Sequence, residues 1–255
     1  MALYLITKAE ERGELRKGYT IIELTSGNTG ISLAMVSAVK GYRFIAIMPE
    51  FITIEKRKMI EKFGAEIVLT PANVNMDGAV KIYEKFVTNK KNIWLPRQFE
   101  NHENIDCHRF GIGKEVIQQM NGNIDAFVAG VGTGGTLIGV GLALKEINPK
   151  VKIIAVEPDE SAILSGDKPG SHKIHGIGEG FIPKIVQDNM DIIDEIIRIK
   201  SNDAIAMSKN LAKKHGLFVG ISSGANVLAA RQIAKKYKRV VTVLPDSGNR
   251  YISIF

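Results

Sequence analysis

Thr25-Ser26-Gly27-Asn28-Thr29-Gly30 follows the apolar, β-branched run Thr20-Ile21-Ile22-Glu23-Leu24 and opens onto Ile31 to Lys40, whose apolar residues recur at helical spacing as far as Gly41. The stretch therefore reads as strand, polar turn and helix start. Amide groups at a helix start, with the positive end of the helix dipole, hold an anion. Ser26, Asn28 and the threonines Thr25 and Thr29 surround those amides, so the turn reads as a grip for something small and acidic.

Outward from this turn, short apolar runs alternate with helical ones. Strands are expected at Ile21–Leu24, Arg43–Met48, Glu66–Thr70, Asn92–Leu95, Asp125–Gly130, Lys152–Glu157, Glu195–Lys200, Leu217–Ile221 and Val240–Leu244. Helices are expected at Ala2–Leu15, Ile31–Val39, Ile54–Phe63, Gly78–Thr88, Gly111–Met120, Leu137–Ile147, Asn202–His215 and Ala225–Tyr237. Strands that are apolar throughout and separated by helices predict mainly parallel sheets covered on both faces, an α/β class. A polar segment near residues 98–112 suggests a boundary between a smaller α/β domain, 1–100, and a larger one, 101–255. The long stretch from Pro158 to Pro183, rich in Gly, Ser, Pro and His, reads as a site-forming loop.

The 255 residues are 45% hydrophobic and 24% charged, as in a globular protein. The net charge of +7 is spread over many helices, which argues against nucleic acid and suits an anionic small ligand. A single cysteine, Cys107, permits no intrachain disulfide and points to a reducing, cytoplasmic setting. No basic leader opens the chain, so no signal peptide is expected. Ala126–Leu144 carries no charge, but its cluster of glycines favours strand, loop and helix over a membrane span.

A second turn, Gly130-Val131-Gly132-Thr133-Gly134-Gly135-Thr136, sits between a strand and a helix and reads as a phosphate cradle. It also matches G-x-G-x-x-G, with Glu157 placed where a ribose-binding acid would stand, so a dinucleotide site is an open reading at this point. A third turn, Gly220-Ile221-Ser222-Ser223-Gly224, offers either helix caps or a hydroxyl for a ring nitrogen. In Pro245-Asp246-Ser247-Gly248, Asp246 is a cap or a site residue.

These turns, taken with Gln98-Phe99 and Lys173-Ile174-His175-Gly176-Ile177-Gly178, closely resemble the cysteine synthase (O-acetylserine sulfhydrylase) and cystathionine β-synthase family, in the same order and over essentially the whole chain. The resemblance implies two mainly parallel, twisted sheets flanked by helices, the tryptophan synthase β-like fold of pyridoxal 5′-phosphate (PLP) enzymes of fold type II. It implies that Gly132, Thr133, Gly134, Gly135 and Thr136 cradle the PLP phosphate and that Ser222 faces the pyridine nitrogen. Asn28 would bond the PLP 3′-oxygen, and Thr25, Ser26, Asn28, Thr29 and Gln98 would hold the substrate carboxylate. The implied reaction is β-replacement on a serine-derived amino acid, cysteine from O-acetylserine and sulfide, by a cytoplasmic homodimer. Cystathionine, lanthionine or sulfide release are alternatives.

The chain departs from the family in three places. The Schiff-base lysine of the family lies in a Ser-x-Lys-Asp-Arg segment just before the helix that starts here at Met1. The expectation is therefore an N-terminally truncated chain with no catalytic lysine among these residues, an inactive PLP-binding fragment being one outcome. Glu179 replaces the usual Ala or Tyr-Asp pair and is either loop surface or a substrate-side carboxylate. The segment from Asn101 to Gly113 lacks the family's usual prolines. Cys107 and His102 have no further ligands at sensible spacing, so no metal is expected. His172 and His175 are expected to position their loop, Trp94 to lie in a core, and Lys8 and Lys40 to face solvent.

Overall fold

The structure is a computed structural model that describes residues 1–71, 74 and 76–254. It divides into two compact units: Met1–Asn101 with Tyr251–Ile254, and His102–Arg250. The last residues of the described chain thus return to the first unit.

The first unit runs α1 (Ala2–Glu11), β1 (Thr20–Leu24), α2 (Asn28–Lys40), β2 (Arg43–Pro49), α3 (Ile54–Lys62), β3 (Glu66–Thr70), α4 (Met76–Val87) and β4 (Ile93–Trp94). The strands form one parallel sheet in the order β3-β2-β1-β4. β1 lies against β2 in the register Thr20↔Arg43 to Leu24↔Ile47. Every residue of β1 from Ile21 to Leu24 is buried, which explains the unbroken apolar run: helices cover both faces of the sheet. Leu5 and Ile6 of α1, Leu33 of α2, Ile60 of α3, Phe44, Met48 and Trp94 share one core. Lys40 bonds Glu10, and Tyr42 Oη donates to Glu10 at 2.8 Å, fastening α1 to the end of α2.

The second unit runs α5 (Glu103–His108), α6 (Lys114–Gln119), β5 (Ala126–Gly130), α7 (Gly135–Ile147), β6 (Lys152–Pro158), α8 (Lys184–Gln187), β7 (Glu195–Ile199), α9 (Ser201–His215), α10 (Ile221–Ile233) and β8 (Val240–Thr242). Its parallel sheet has the order β7-β6-β5-β8. Alternate residues of the central strands enter different cores. Phe127, Ala129, Ile153 and Ala155 pack with Leu137, Val140 and Leu144 of α7. Ala126, Val128, Ile154 and Val156 pack with Ile221, Ala225 and Ala229 of α10.

Three sequence expectations change. Leu217–Ile221 is not a strand. Val219 makes one antiparallel bridge with Ser247, its carbonyl accepts the Ser208 hydroxyl at 2.7 Å, and Ile221 already begins α10. The segment after Asn101 is mostly helical: α5 and α6 are joined by a π-helical turn, Arg109–Gly113. A Cβ at Gly139 would run into the Ile105 carbonyl, so α7 and α5 approach at backbone distance. Helix α2 begins at Asn28, three residues before the expected Ile31, so half of the opening turn is helix. No helix among the described residues is long and apolar enough to cross a membrane.

Candidate functional site

The Thr25–Gly30 turn sits where β1 ends and α2 begins. Thr25 is 1% exposed, and its Oγ1 accepts the amides of Gly27 at 3.1 Å and Gly30 at 3.0 Å. Its own amide donates to Ile47 on β2 at 2.9 Å. The Thr25 hydroxyl therefore caps α2 from two residues ahead of the N-cap Gly27, and it braces the turn from within. Gly27 has φ 149°, a backbone that side chains rarely adopt, and a Cβ there would lie 2.6 Å from Lys56 Cδ. At Gly30 a Cβ would lie 2.6 Å from the Thr25 methyl. Both glycines are thus required by close approach. Ser26, Asn28 and Thr29, partly exposed, line the first turn of α2.

Gln98 lies behind the same turn. Its Nε2 donates to Leu24 O at 2.7 Å with one of its two amide hydrogens. Arg97, just before it, has φ 49°, a left-handed conformation that turns the chain there. Glu23, which sequence reasoning passed over as a strand residue, is 1% exposed at this junction. Burial pushes its carboxyl up to about 8, against the opposing pull of the Gln98 and Arg97 amides. Its Oε2 has no hydrogen-bond partner among the described residues, and the same holds for the buried Tyr83 hydroxyl, whose titration Glu23 also perturbs. The only advance signal was a lone charge in an apolar run.

In the second unit, Gly130–Thr136 joins β5 to α7. Gly134, the N-cap, has φ 89°. A Cβ at Gly132 would run into the Gly176 carbonyl, one at Gly134 into Val186 and one at Gly135 into Asn104. Thr133 Oγ1 accepts Asn104 Nδ2 at 3.0 Å and the Gly135 amide at 3.3 Å. The turn is therefore fixed from both sides, by α5 and by the 172–178 loop, with its remaining amides at the start of a 13-residue helix. Ser222 and Ser223 are buried in the first turn of α10, and the N-cap is Gly220. Ser223 Oγ and Asn226 Oδ1, both buried, have no partner among the described residues. Asn226 Oδ1 would lie 3.2 Å from a Cβ at Gly130, so it flanks the Gly130–Thr136 turn. A glycine-rich helix start next to buried polar atoms fits a phosphorylated ring compound such as PLP.

The remaining expectations sort by position. Glu157 accepts the amides of Leu164 at 2.7 Å and Ser165 at 3.1 Å, so its carboxylate is committed to shaping the long loop. That removes the ribose-binding acid from the dinucleotide reading. His172 Nδ1 accepts the Ile174 amide at 3.3 Å, so Nε2 carries the proton and donates to Gly178 O at 2.9 Å. The ring holds the 172–178 loop against the Gly130–Thr136 turn through Gly178, whose amide donates to Val131 O at 3.0 Å. Glu179 is half-buried between Gly178 at φ 68° and Gly180 at φ 90°. Burial raises the Cys107 thiol to about 11, and among the described residues no group of three or more His, Cys, Asp or Glu is placed to hold a metal. Asp246 is buried, and its carbonyl accepts the Gly220 amide at 3.1 Å.

Comparison with known proteins agrees with this chemistry. The family described as pyridoxal-phosphate dependent enzyme matches residues 1–246. The cysteine synthase of Staphylococcus aureus is 49% identical over 257 residues, which cover 99% of this chain and 82% of the relative. The crystal structure of cysteine synthase from Entamoeba histolytica matches with a TM-score of 0.92 at 40% identity, covering 99% of this chain and 75% of that one. A hydrogen sulfide-producing enzyme from Fusobacterium nucleatum matches with a TM-score of 0.91 at 40% identity, covering 100% and 78%. These matches, with the committed Glu157, leave no place for a dinucleotide. The chain belongs to the pyridoxal-phosphate dependent enzymes.

Proposed function

We propose that the protein makes cysteine from O-acetylserine and sulfide by β-replacement. The observation that carries this is the braced Thr25–Gly30 turn: two glycines without room for a side chain, a capped helix start and hydroxyl and amide side chains around it. A relative 49% identical and named cysteine synthase supports the same reading.

Each residue then has a task. Ser26, Asn28 and Thr29 bind the substrate carboxylate at the start of α2, while Thr25 holds the turn in shape and Gln98, behind the turn, is a second carboxylate contact. The amides of Gly132, Gly134 and Gly135, with Thr133 and Thr136, hold the cofactor phosphate at the start of α7. Ser222 accepts or donates at the cofactor's ring nitrogen, and Asn28 bonds its 3′-oxygen. PLP, when bound, would supply the electron sink for loss of the α-proton and the β-acetate, and the proton would go to the family's Schiff-base lysine, which is not among the residues assigned here. The protein's contribution is to fix the carboxylate so that the Cα–H bond keeps one orientation.

Glu179 favours a second acceptor. A half-buried carboxylate between two left-handed glycines repels hydrosulfide and attracts a thiol that carries an amino group. The test is competition: the protein, loaded with PLP and given O-acetylserine, is offered equal sulfide and homocysteine, and products are separated by chromatography. Cysteine as the main product supports the first reading, and cystathionine supports the second. A cytoplasmic homodimer is part of the proposal; the one cysteine, Cys107, which can form no disulfide within the chain, suits a reducing compartment.

A further inference from the structure

The loop from His172 to Gly178 lies as a strap across the Gly130–Thr136 turn. Its Ile174 and Ile177 are buried and seat it in the core that β5, β6 and α10 share. A Cβ at Gly130 would lie 2.8 Å from the Ile177 side chain, and one at Gly132 would run into the Gly176 carbonyl. The Lys173 amide donates to Ser201 Oγ at 2.9 Å, and the Gly178 amide donates to Val131 O at 3.0 Å. The strap is therefore tied to α9 near its start and to the turn at its end.

One side chain closes the strap on itself. The half-buried His172 ring accepts the Ile174 amide at Nδ1, 3.3 Å away, and donates from Nε2 to Gly178 O at 2.9 Å. Gly178 has φ 68°, and a Cβ there would lie 3.1 Å from His172 Nε2 and 2.7 Å from Pro158 Cγ at the end of β6. Gly178 is thus held by both its peptide groups, the amide by Val131 of the turn and the carbonyl by His172. The two ring bonds require a neutral imidazole, with one nitrogen accepting and the other donating. A proton on Nδ1 sets two N–H groups face to face, and a ring that turns away from Ile174 takes Nε2 off Gly178.

Histidine is the side chain that changes charge between about pH 5 and 8. The other titratable and charged groups of the neighbouring segments are Lys173 and His175 on the strap, Glu179 beyond Gly178, and Glu157, Asp159 and Glu160 around Pro158. Glu157 accepts the Leu164 and Ser165 amides, Asp159 accepts Arg198 Nε at 2.8 Å, and Glu160 accepts the Ser201 amide at 2.8 Å. Those three carboxylates are spent on backbone and guanidinium donors, and the bond to Gly178 O comes from His172.

We propose that His172 is a positioning residue of the cofactor site: as a neutral imidazole it latches the strap onto the Gly130–Thr136 turn, and a proton on the ring releases the latch and loosens the grip on the cofactor phosphate. The inference rests on the reading of Gly130–Thr136 as the phosphate site. Its action passes through Gly178 and Val131.

The probe is pyridoxine 5′-phosphate, which has the ring and the phosphate but no aldehyde to react with surface lysines. Its dissociation constant is measured by fluorescence between about pH 5.5 and 8, on the wild type, on His172→Gln, which is neutral throughout and keeps an N–H for Gly178, and on Gly132→Ala. The probe's phosphate titrates in the same range, so the ratio of wild type to variant is compared at each pH. Toward the acid end the wild type should weaken against His172→Gln by about fivefold or more, the worth of one lost hydrogen bond. Should His172→Gln not fold, His172→Asn is a second neutral variant, whose side chain still accepts the Ile174 amide. A ratio that stays constant across the range overturns the proposal, even where the variant binds more weakly throughout, since a merely structural histidine does that. A wild type that does not bind the probe at any pH, or a Gly132→Ala variant that binds it equally well, overturns the reading of the turn itself.

Discussion

Gln98 Nε2 donates to the carbonyl oxygen of Leu24 at 2.7 Å, so Gln98 holds the residue just before the Thr25–Gly30 turn. The bond spans 74 residues of chain and is buried. Gln98→Ala is expected to cost about 1–2 kcal/mol in urea unfolding and to raise the amino-acid KM severalfold, because the end of β1 loses its tie. PLP affinity should change little, because the proposed phosphate-binding residues lie in the second unit. An unaltered KM with lowered stability would assign Gln98 to scaffolding alone.

Thr25→Ala removes the hydroxyl that accepts the Gly27 and Gly30 amides. Loss of this cap should destabilise the protein by about 1–2 kcal/mol. Thr25→Ser retains the oxygen and should recover most of the loss in the same denaturant titration. Equal midpoints for the two variants would show that the hydroxyl does not brace the turn.

Glu23 makes stability depend on pH. Its carboxyl rises from 4.5 to about 8 on folding, through burial. Between those values the folded chain keeps a proton that the unfolded chain has released. Stability therefore falls as pH rises from about 4.5 to about 8 and levels off above, a change on the order of 4–5 kcal/mol. Glu23→Gln stays neutral at every pH and should flatten that part of the profile. Parallel profiles for the two proteins between pH 5 and 9 would contradict the assignment.

Gly132→Ala pushes a methyl group toward the Gly176 carbonyl and must shift either the phosphate turn or the 172–178 loop. Titration with PLP, followed through its absorbance, should show at least tenfold weaker binding, about 1.4 kcal/mol or more. Asn104→Ala, which frees Thr133 on the other flank, should weaken binding in the same direction by a smaller factor. Retention of full PLP affinity in both would remove this turn from the cofactor site.

Much of this was legible in the sequence because it is local. An apolar strand, a glycine turn and an amphipathic helix are written in neighbouring residues, and so Thr25–Gly30 and Gly130–Thr136 declared themselves as turns from a strand into a helix start. The alternation of such units dictated two parallel sheets with both faces covered. Position alone could not say that Thr25 would spend its hydroxyl on its own turn, since that depends on where α2 starts. Leu217–Ile221 has the composition of a strand, yet Ser208 and Gly248 take the carbonyls of Val219 and Phe218, and α10 begins at Ile221. Pairing is a property of the partner, which a single segment does not contain.

The groups around the carboxylate turn lie further from local pattern. Glu23 reads as a charge within an apolar strand, Lys56 falls in the expected helix Ile54–Phe63, and Tyr251 falls in the stretch expected to form the second domain. Folding buries all three in the first unit, and it brings Tyr251 onto a lysine nearly 200 residues earlier. The sequence by itself determined which segments turn from a strand into a helix start, because backbone conformation and helix ends are set by nearest neighbours. Only the tertiary structure decided which charges stand behind them without water, because desolvation is a property of the packed surroundings and not of the chain.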